Sequence, residues 1–288
     1  HLTDIFGVSF NDNSKEKVAQ IVKVFKYNAI VQNLAPIAAD NYKQTRIADS
    51  VALQHMNRIL ELALSKEKTT KALTELFNEL GSQVRDTDII RWYGTDANYY
   101  YLPEALCVPI IKTLLEEKIE TEPAEVINRI GELMLKHSDN SMMTAVMDYA
   151  VIVARLYEKA LTLGSLTLNT ANEYVMKYES DYSSIDQYYR LANETYFGID
   201  PTCELFDAVQ KVKRCLDQNY SKLCNRINLE WTRCLKETGG MDEVHLLRQY
   251  NFYDERIKPI QKKVAVIVSD ALRYEVAQEL IGELAKFK

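Results

Sequence analysis

The chain has 288 residues, a net charge of −6 and a pI of about 5.4, so no overall positive field draws it to nucleic acid or to an anionic membrane. Only 9 residues are Gly and 6 are Pro, the mark of a helix-rich chain with few tight turns. The length allows one large or two modest domains, with ample core.

Apolar residues recur at helical spacing along most of the chain. Val18, Ile21, Val22, Val24, Phe25, Ile30, Val31 and Leu34 predict a first helix that ends before Pro36. Val51, Leu53, Ile59, Leu60, Leu62 and Leu64 predict a second, and Leu73, Leu76, Phe77 and Leu80 a third that stops at Gly81. Further helices are predicted over roughly 102–118, 123–137 and 142–163. Pro123 suits a first helical turn, where its missing N–H costs nothing. The apolar run Met142–Ala154 is 13 residues long, short of the ~20 that a membrane span needs. It reads as a central helix packed on all sides. Asp148 and Arg155, seven apart, share a face two turns from each other, and each is expected to meet a partner on a neighbouring helix.

Thr170-Ala-Asn-Glu173 and Ser183-Ser-Ile-Asp186 fit the capping-box pattern, so each is expected to open a helix. Pro201 opens the longest pattern, which reaches about Glu237 before Gly239-Gly240 breaks it. Seven cations against Asp217 and Glu230 make the Lys211–Lys236 stretch locally basic, and on a long helix this reads as a solvated face. A short helix near Asp242–Tyr250 and a connector to Lys263 complete this region. No repeat of fixed period appears, so the expected architecture is mainly α, an irregular array of antiparallel helices rather than a solenoid.

Two stretches concentrate aromatic residues. Arg91-Trp92-Tyr93 and Tyr99-Tyr100-Tyr101 flank Gly94-Thr95-Asp96, and Tyr174, Tyr178, Tyr182, Tyr188, Tyr189, Tyr196 and Phe197 crowd the second. Such rings serve interfaces or helix–helix seams, and packing between helices is the favoured reading. The five cysteines contain no C-x-x-C pair, and the four histidines are scattered. Free thiols in a reducing compartment are expected, and zinc binding by these residues is not.

The chain closes on Val264-Ala-Val-Ile-Val-Ser-Asp-Ala-Leu-Arg-Tyr-Glu275. A run of β-branched residues, a small polar residue, a carboxylate and then helix formers predict a buried strand followed by a helix, the opening of a parallel α/β unit. Asp270 stands where open α/β sheets bind ligands. A P-loop signature, the second Asp of a haloacid-type hydrolase and the glycines of a dinucleotide site are all missing. The residues alone leave Asp270 equally a ligand-binding carboxylate or a cap of the following helix.

Val266 to Leu280 resembles the opening of the PglZ domain, and Phe25-Lys-Tyr-Asn-Ala-Ile-Val-Gln-Asn-Leu34 is similar to the helical region upstream in type A PglZ proteins of BREX phage-defence systems. The resemblance implies the alkaline phosphatase superfamily, in which the Asp after the first strand is a ligand to one of a pair of divalent metals, Zn or Mn. Asp270 matches that position; the nucleophile and the other ligands would lie beyond Lys288. Arg273 and Glu275 belong to the same motif without an assigned role: an ion pair orienting the strand–helix corner is one reading, and Arg273 reaching a phosphate is the other. The implied organisation is a helical domain over 1–255, with a break near 82–101, and over 256–288 a connector and the first strand and helix of a truncated alkaline-phosphatase-like domain. The whole protein would be a cytoplasmic metal-dependent phosphatase or phosphodiesterase, and this piece a non-catalytic helical scaffold. The alternative is a helical module that recruits other defence components without catalysis. Other BREX components are candidate partners, residues 264–269 could mediate strand-to-strand association, and neither a membrane nor direct contact with nucleic acid is expected.

Overall fold

The structure, a computed structural model, describes residues 2–7, 14–94, 97, 107–136, 141–270 and 272–287. It is mainly helical, and no strand occurs among the described residues. The chain divides into two compact units, His1–Val151 with Gly198–Val212, and Ile152–Phe197 with Lys213–Lys288.

The first unit holds helices α1 (Leu2–Phe6), α2 (Ser14–Val31), α3 (Ser50–Leu64), α4 (Glu67–Glu79), α5 (Asp86–Tyr93), α6 (Val108–Thr113) and α7 (Pro123–Lys136). It also takes the start of α8 (Ser141–Leu161) and of α11 (Phe206–Glu237). A π turn, Leu114–Lys118, continues α6. The last two turns of α2 are buried on every side, so polar residues there need internal partners. Asn28 has them: its Nδ2 donates to the Val24 and Thr45 carbonyls at 2.7 and 2.8 Å, and its Oδ1 accepts from the Ile47 N–H at 2.8 Å. The Arg46 guanidinium reaches the Val31 carbonyl at the end of α2, which also accepts from the Leu34 N–H, and the Leu34 carbonyl just beyond the helix. Asp40, also buried, accepts from the Tyr27 and Tyr93 hydroxyls, both at 2.6 Å, and from the Tyr42 N–H at 2.7 Å. The loop between α2 and α3 is thereby tied to α2 and α5. Asp49 then caps α3, its side chain accepting from Val51 and Ala52 N–H groups. At Gly81 a Cβ would stand 2.6 Å from the Phe77 carbonyl oxygen, which explains a residue without one at the end of α4.

The second unit is built from the rest of α8 and α11 with α9 (Ala171–Lys177), α10 (Ser183–Gly198) and α12 (Tyr274–Ala285). Thr170 opens α9 as expected, its hydroxyl accepting from Glu173 N–H at 3.2 Å while the Glu173 carboxylate accepts from Asn169 N–H at 2.9 Å. Ser183 does not open a new helix. The π turn Tyr178–Tyr182 carries α9 directly into α10, so the Ser183 N–H already has carbonyl partners, and its buried hydroxyl donates to the Glu179 carbonyl.

Other expectations need correction. Pro201 lies in a turn fixed by Asp200, which accepts from both the N–H and the hydroxyl of Thr202 at 2.8 Å, and α11 starts five residues later at Phe206. Its end at Glu237 agrees with the Gly239-Gly240 signal, and both glycines take positive φ. Only short 3₁₀ turns, Met241–Glu243 and Gln249–Asn251, stand where a helix near Asp242–Tyr250 was expected. Arg155 is exposed, and neither it nor Asp148 forms a hydrogen bond or ion pair among the described residues; burial pushes the Asp148 carboxyl above its ordinary range. Residues 102–106, His137 and Tyr99–Tyr101 lie outside the described residues. All five cysteines are free thiols.

Asn28→Ala should destabilise the protein by about 3 kcal/mol, because it leaves the buried Ile47 N–H and Thr45 carbonyl without partners. Thermal melts and denaturant titration followed by circular dichroism check this; an unchanged midpoint would mean that the loop is not held through Asn28.

Candidate functional site

The second unit is organised by tyrosine–carboxylate pairs. Asp186 of α10 accepts from the Tyr178 hydroxyl at 2.9 Å and from the Tyr220 hydroxyl of α11 at 2.8 Å. Tyr189 donates to Asp217 at 3.0 Å and stacks on Tyr220 with ring centroids 3.7 Å apart. Burial first, and then the hydrogen bond to Asp186, push the Tyr178 and Tyr220 phenols well above their ordinary range. Asp181 is held far below the carboxylate range by Lys159 and Lys177. Tyr178 and Tyr189 of the second aromatic stretch thus pack between helices, as expected, whereas Phe197 is 80% exposed.

Helix α12 docks on this unit. Glu279 accepts from Gln187 Nε2 at 2.8 Å and pairs with Arg190 of α10. The Tyr274 ring meets Tyr178 edge-on at 5.9 Å. Glu275, 3% exposed, has no hydrogen-bond donor on either carboxylate oxygen, and Arg273 Nη1 stands 3.6 Å away. Arg273 and Glu275 therefore form the ion pair suggested by the sequence, at the entry to α12.

The strand half of the expected βα unit is not formed. Residues 263–269 adopt no regular secondary structure and have no ladder partner among the described residues, and Ile267 and Val268 are 91% and 84% exposed. A strand exists only through hydrogen bonds to a neighbour, and among the described residues none is offered. Asp270 lies in an exposed turn and makes no hydrogen bond or ion pair among the described residues. It is not the cap of α12: that position belongs to Arg273, whose side chain makes no capping bond. No group of three or more His, Cys, Asp or Glu side chains suited to a metal occurs among the described residues. One carboxylate is a single donor where a divalent ion takes several, so the described residues do not by themselves compose the metal pair that the resemblance implies. Sequence reasoning placed Asp270 and α12 but gave no sign of a cavity of about 460 Å³ beside Tyr274, walled by Tyr174, Tyr178, Tyr182 and Trp231. The spacing of those tyrosines along α9 and the π turn was the available signal.

No family profile matches the chain, and no solved structure matches it. The chain is similar to the alkaline phosphatase-like protein PglZ of Bacillus cereus (strain H3081.97), with 30% identity over 139 residues, 45% of this chain. The chain spans only 16% of that protein's length. This is a distant homology to a PglZ alkaline phosphatase-like protein. No helix among the described residues is long and apolar enough to cross a membrane.

The geometry sets two expected outcomes. Glu279→Ala should raise amide hydrogen exchange across 274–285 while leaving exchange in α10 and α11 nearly unchanged, because it removes the main polar anchor of α12. Phenols held protonated in the fold, but free to ionise near pH 10 when unfolded, support stability fully below that pH and progressively less as pH rises above it. Titration at 295 nm should therefore show a subset of tyrosines that ionise only as circular dichroism reports alkaline unfolding; a single transition near pH 10 in the folded protein would contradict this.

Proposed function

We propose that this chain is an interior part of a PglZ-type anti-phage defence protein of the BREX kind, cytoplasmic, whose whole chain hydrolyses phosphate mono- or diesters with the help of divalent metal ions. The observation that carries the proposal is the 30% identity to an alkaline phosphatase-like PglZ protein, together with the motif Val266–Leu280. In this reading residues 256–288 are the connector and first elements of the phosphatase-like domain. Asp270 supplies one metal-binding carboxylate, and the nucleophile and other ligands come from residues outside this sequence. The helical region is a scaffold without catalytic groups of its own. Asp270 is exposed and unpaired among the described residues, so it is free to take a ligand, whereas Glu275, Glu279 and Asp186 are committed to packing α12 and the tyrosines.

A second reading, a helical module that recruits other defence components without catalysis, is favoured by one observation. The apolar segment 264–268 is solvent-exposed, and an exposed, β-branched segment with no ladder partner among the described residues pairs readily with another strand.

The chain alone should show no specific metal-dependent hydrolysis of phosphate esters. In the whole protein, Asp270→Ala should abolish Mn²⁺- or Zn²⁺-dependent hydrolysis of generic monoester and diester substrates while leaving the thermal melt unchanged. Full activity in the substituted whole protein would remove Asp270 from the site. A whole protein inactive with every metal and both substrate types would favour the recruiting module.

A further inference from the structure

We propose that the cavity of the second unit binds an organic cation with apolar substituents, of the quaternary or tertiary alkylammonium class. The rings of Tyr174, Tyr178, Tyr182, Trp231 and Tyr274 line a space of about 460 Å³, with Glu179 among the lining residues. That size and aromatic character suit a small-molecule site. Tyr174 and Trp231 meet edge-to-face at 5.6 Å, and Tyr178 and Tyr274 do so at 5.9 Å. Edge-to-face packing does not stack these rings on one another's faces, and ring faces are the electron-rich surfaces that attract a cation.

Charge then selects among ligands. No lysine or arginine lines the cavity. The nearby cations are committed elsewhere, Lys177 and Lys159 to Asp181 and Arg273 to Glu275. The Glu179 carboxylate is exposed and makes no hydrogen bond or ion pair among the described residues. Tyr178 donates its proton to the Asp186 carboxylate in a hydrogen bond, which further enriches its ring. A phosphate-bearing ligand would meet Glu179 with no counter-charge. A purely apolar ligand would leave the negative charge of Glu179 beside it without a counter-charge. A cation clad in methyl or ethyl groups satisfies the carboxylate and the ring faces together.

Trp231 is one of two tryptophans, so Trp92→Phe makes it the sole indole reporter. Choline and the larger tetraethylammonium are titrated into this variant with 3,3-dimethylbutan-1-ol, the uncharged isostere of choline, as the comparison. Saturable quenching by at least one cation is expected, with the alcohol at least about tenfold weaker. Glu179→Gln should weaken the cation by about tenfold and leave the alcohol unchanged, with circular dichroism confirming the fold. Saturation transfer from aromatic protein protons to the choline methyl protons, measured on the unsubstituted chain, gives the same answer without any substitution. Binding of neither cation, or equal binding of choline and the alcohol, overturns the proposal.

Discussion

The Asp186 carboxylate is the point on which the second unit depends. It draws hydrogen bonds from Tyr178 on the π turn and Tyr220 on α11, and so joins three helical segments through one side chain. Two phenols on one buried-facing carboxylate satisfy both of its oxygens without bringing in a second formal charge, which avoids the desolvation cost of a buried ion pair. The structural consequence is local. Tyr178 is fixed, its ring gives Tyr274 a surface to meet, and α12 gains a docking place at the same spot where the cavity opens. The π turn makes this possible: its extra residue per turn rotates Tyr178 and Tyr182 relative to a continuous α-helix, at a site where such bulges often serve function.

Helix existence was legible wherever an apolar face repeated over several turns, as in α2, α3, α4, α7, α8 and α11. Termini were legible only where the signal is chemically local. The Thr170 hydroxyl accepts from the Glu173 N–H and the Glu173 carboxylate from the Asn169 N–H, both within four residues, so the helix start was readable locally. Ser183 and Asp186 carry the same pattern, but the preceding π turn already supplies partners for the N–H groups, and Asp186 turns to tyrosines 8 residues back and 34 residues on. Pro201 failed for a related reason: the Asp200 side chain satisfies the Thr202 backbone in a turn, an alternative that the propensity of proline for a first helical turn does not anticipate.

The candidate site divides along the same line. Asp270 was visible because its signal is a contiguous string, but whether Val264–Ser269 becomes a strand depends on a neighbour that no local pattern can supply. The ion pair of Arg273 with Glu275 lies two residues apart and was accessible to sequence reasoning. The cavity was not, because its rings come from α9, the π turn, α11 and α12, and which face each tyrosine presents is settled only by packing.

Glu275 shows how the two halves of the terminal motif differ in their physical commitments. A carboxylate 3% exposed with no hydrogen-bond donor would ordinarily cost several kcal/mol, and a single arginine at 3.6 Å, itself largely solvated, offsets only part of that. Its place in the first turn of α12 helps, because the unsatisfied N–H groups and the helix dipole there favour negative charge. Asp270, a few residues earlier, carries no such burden: it is exposed and, among the described residues, unpaired. The corner thus separates a carboxylate fixed by packing from one left exposed to solvent.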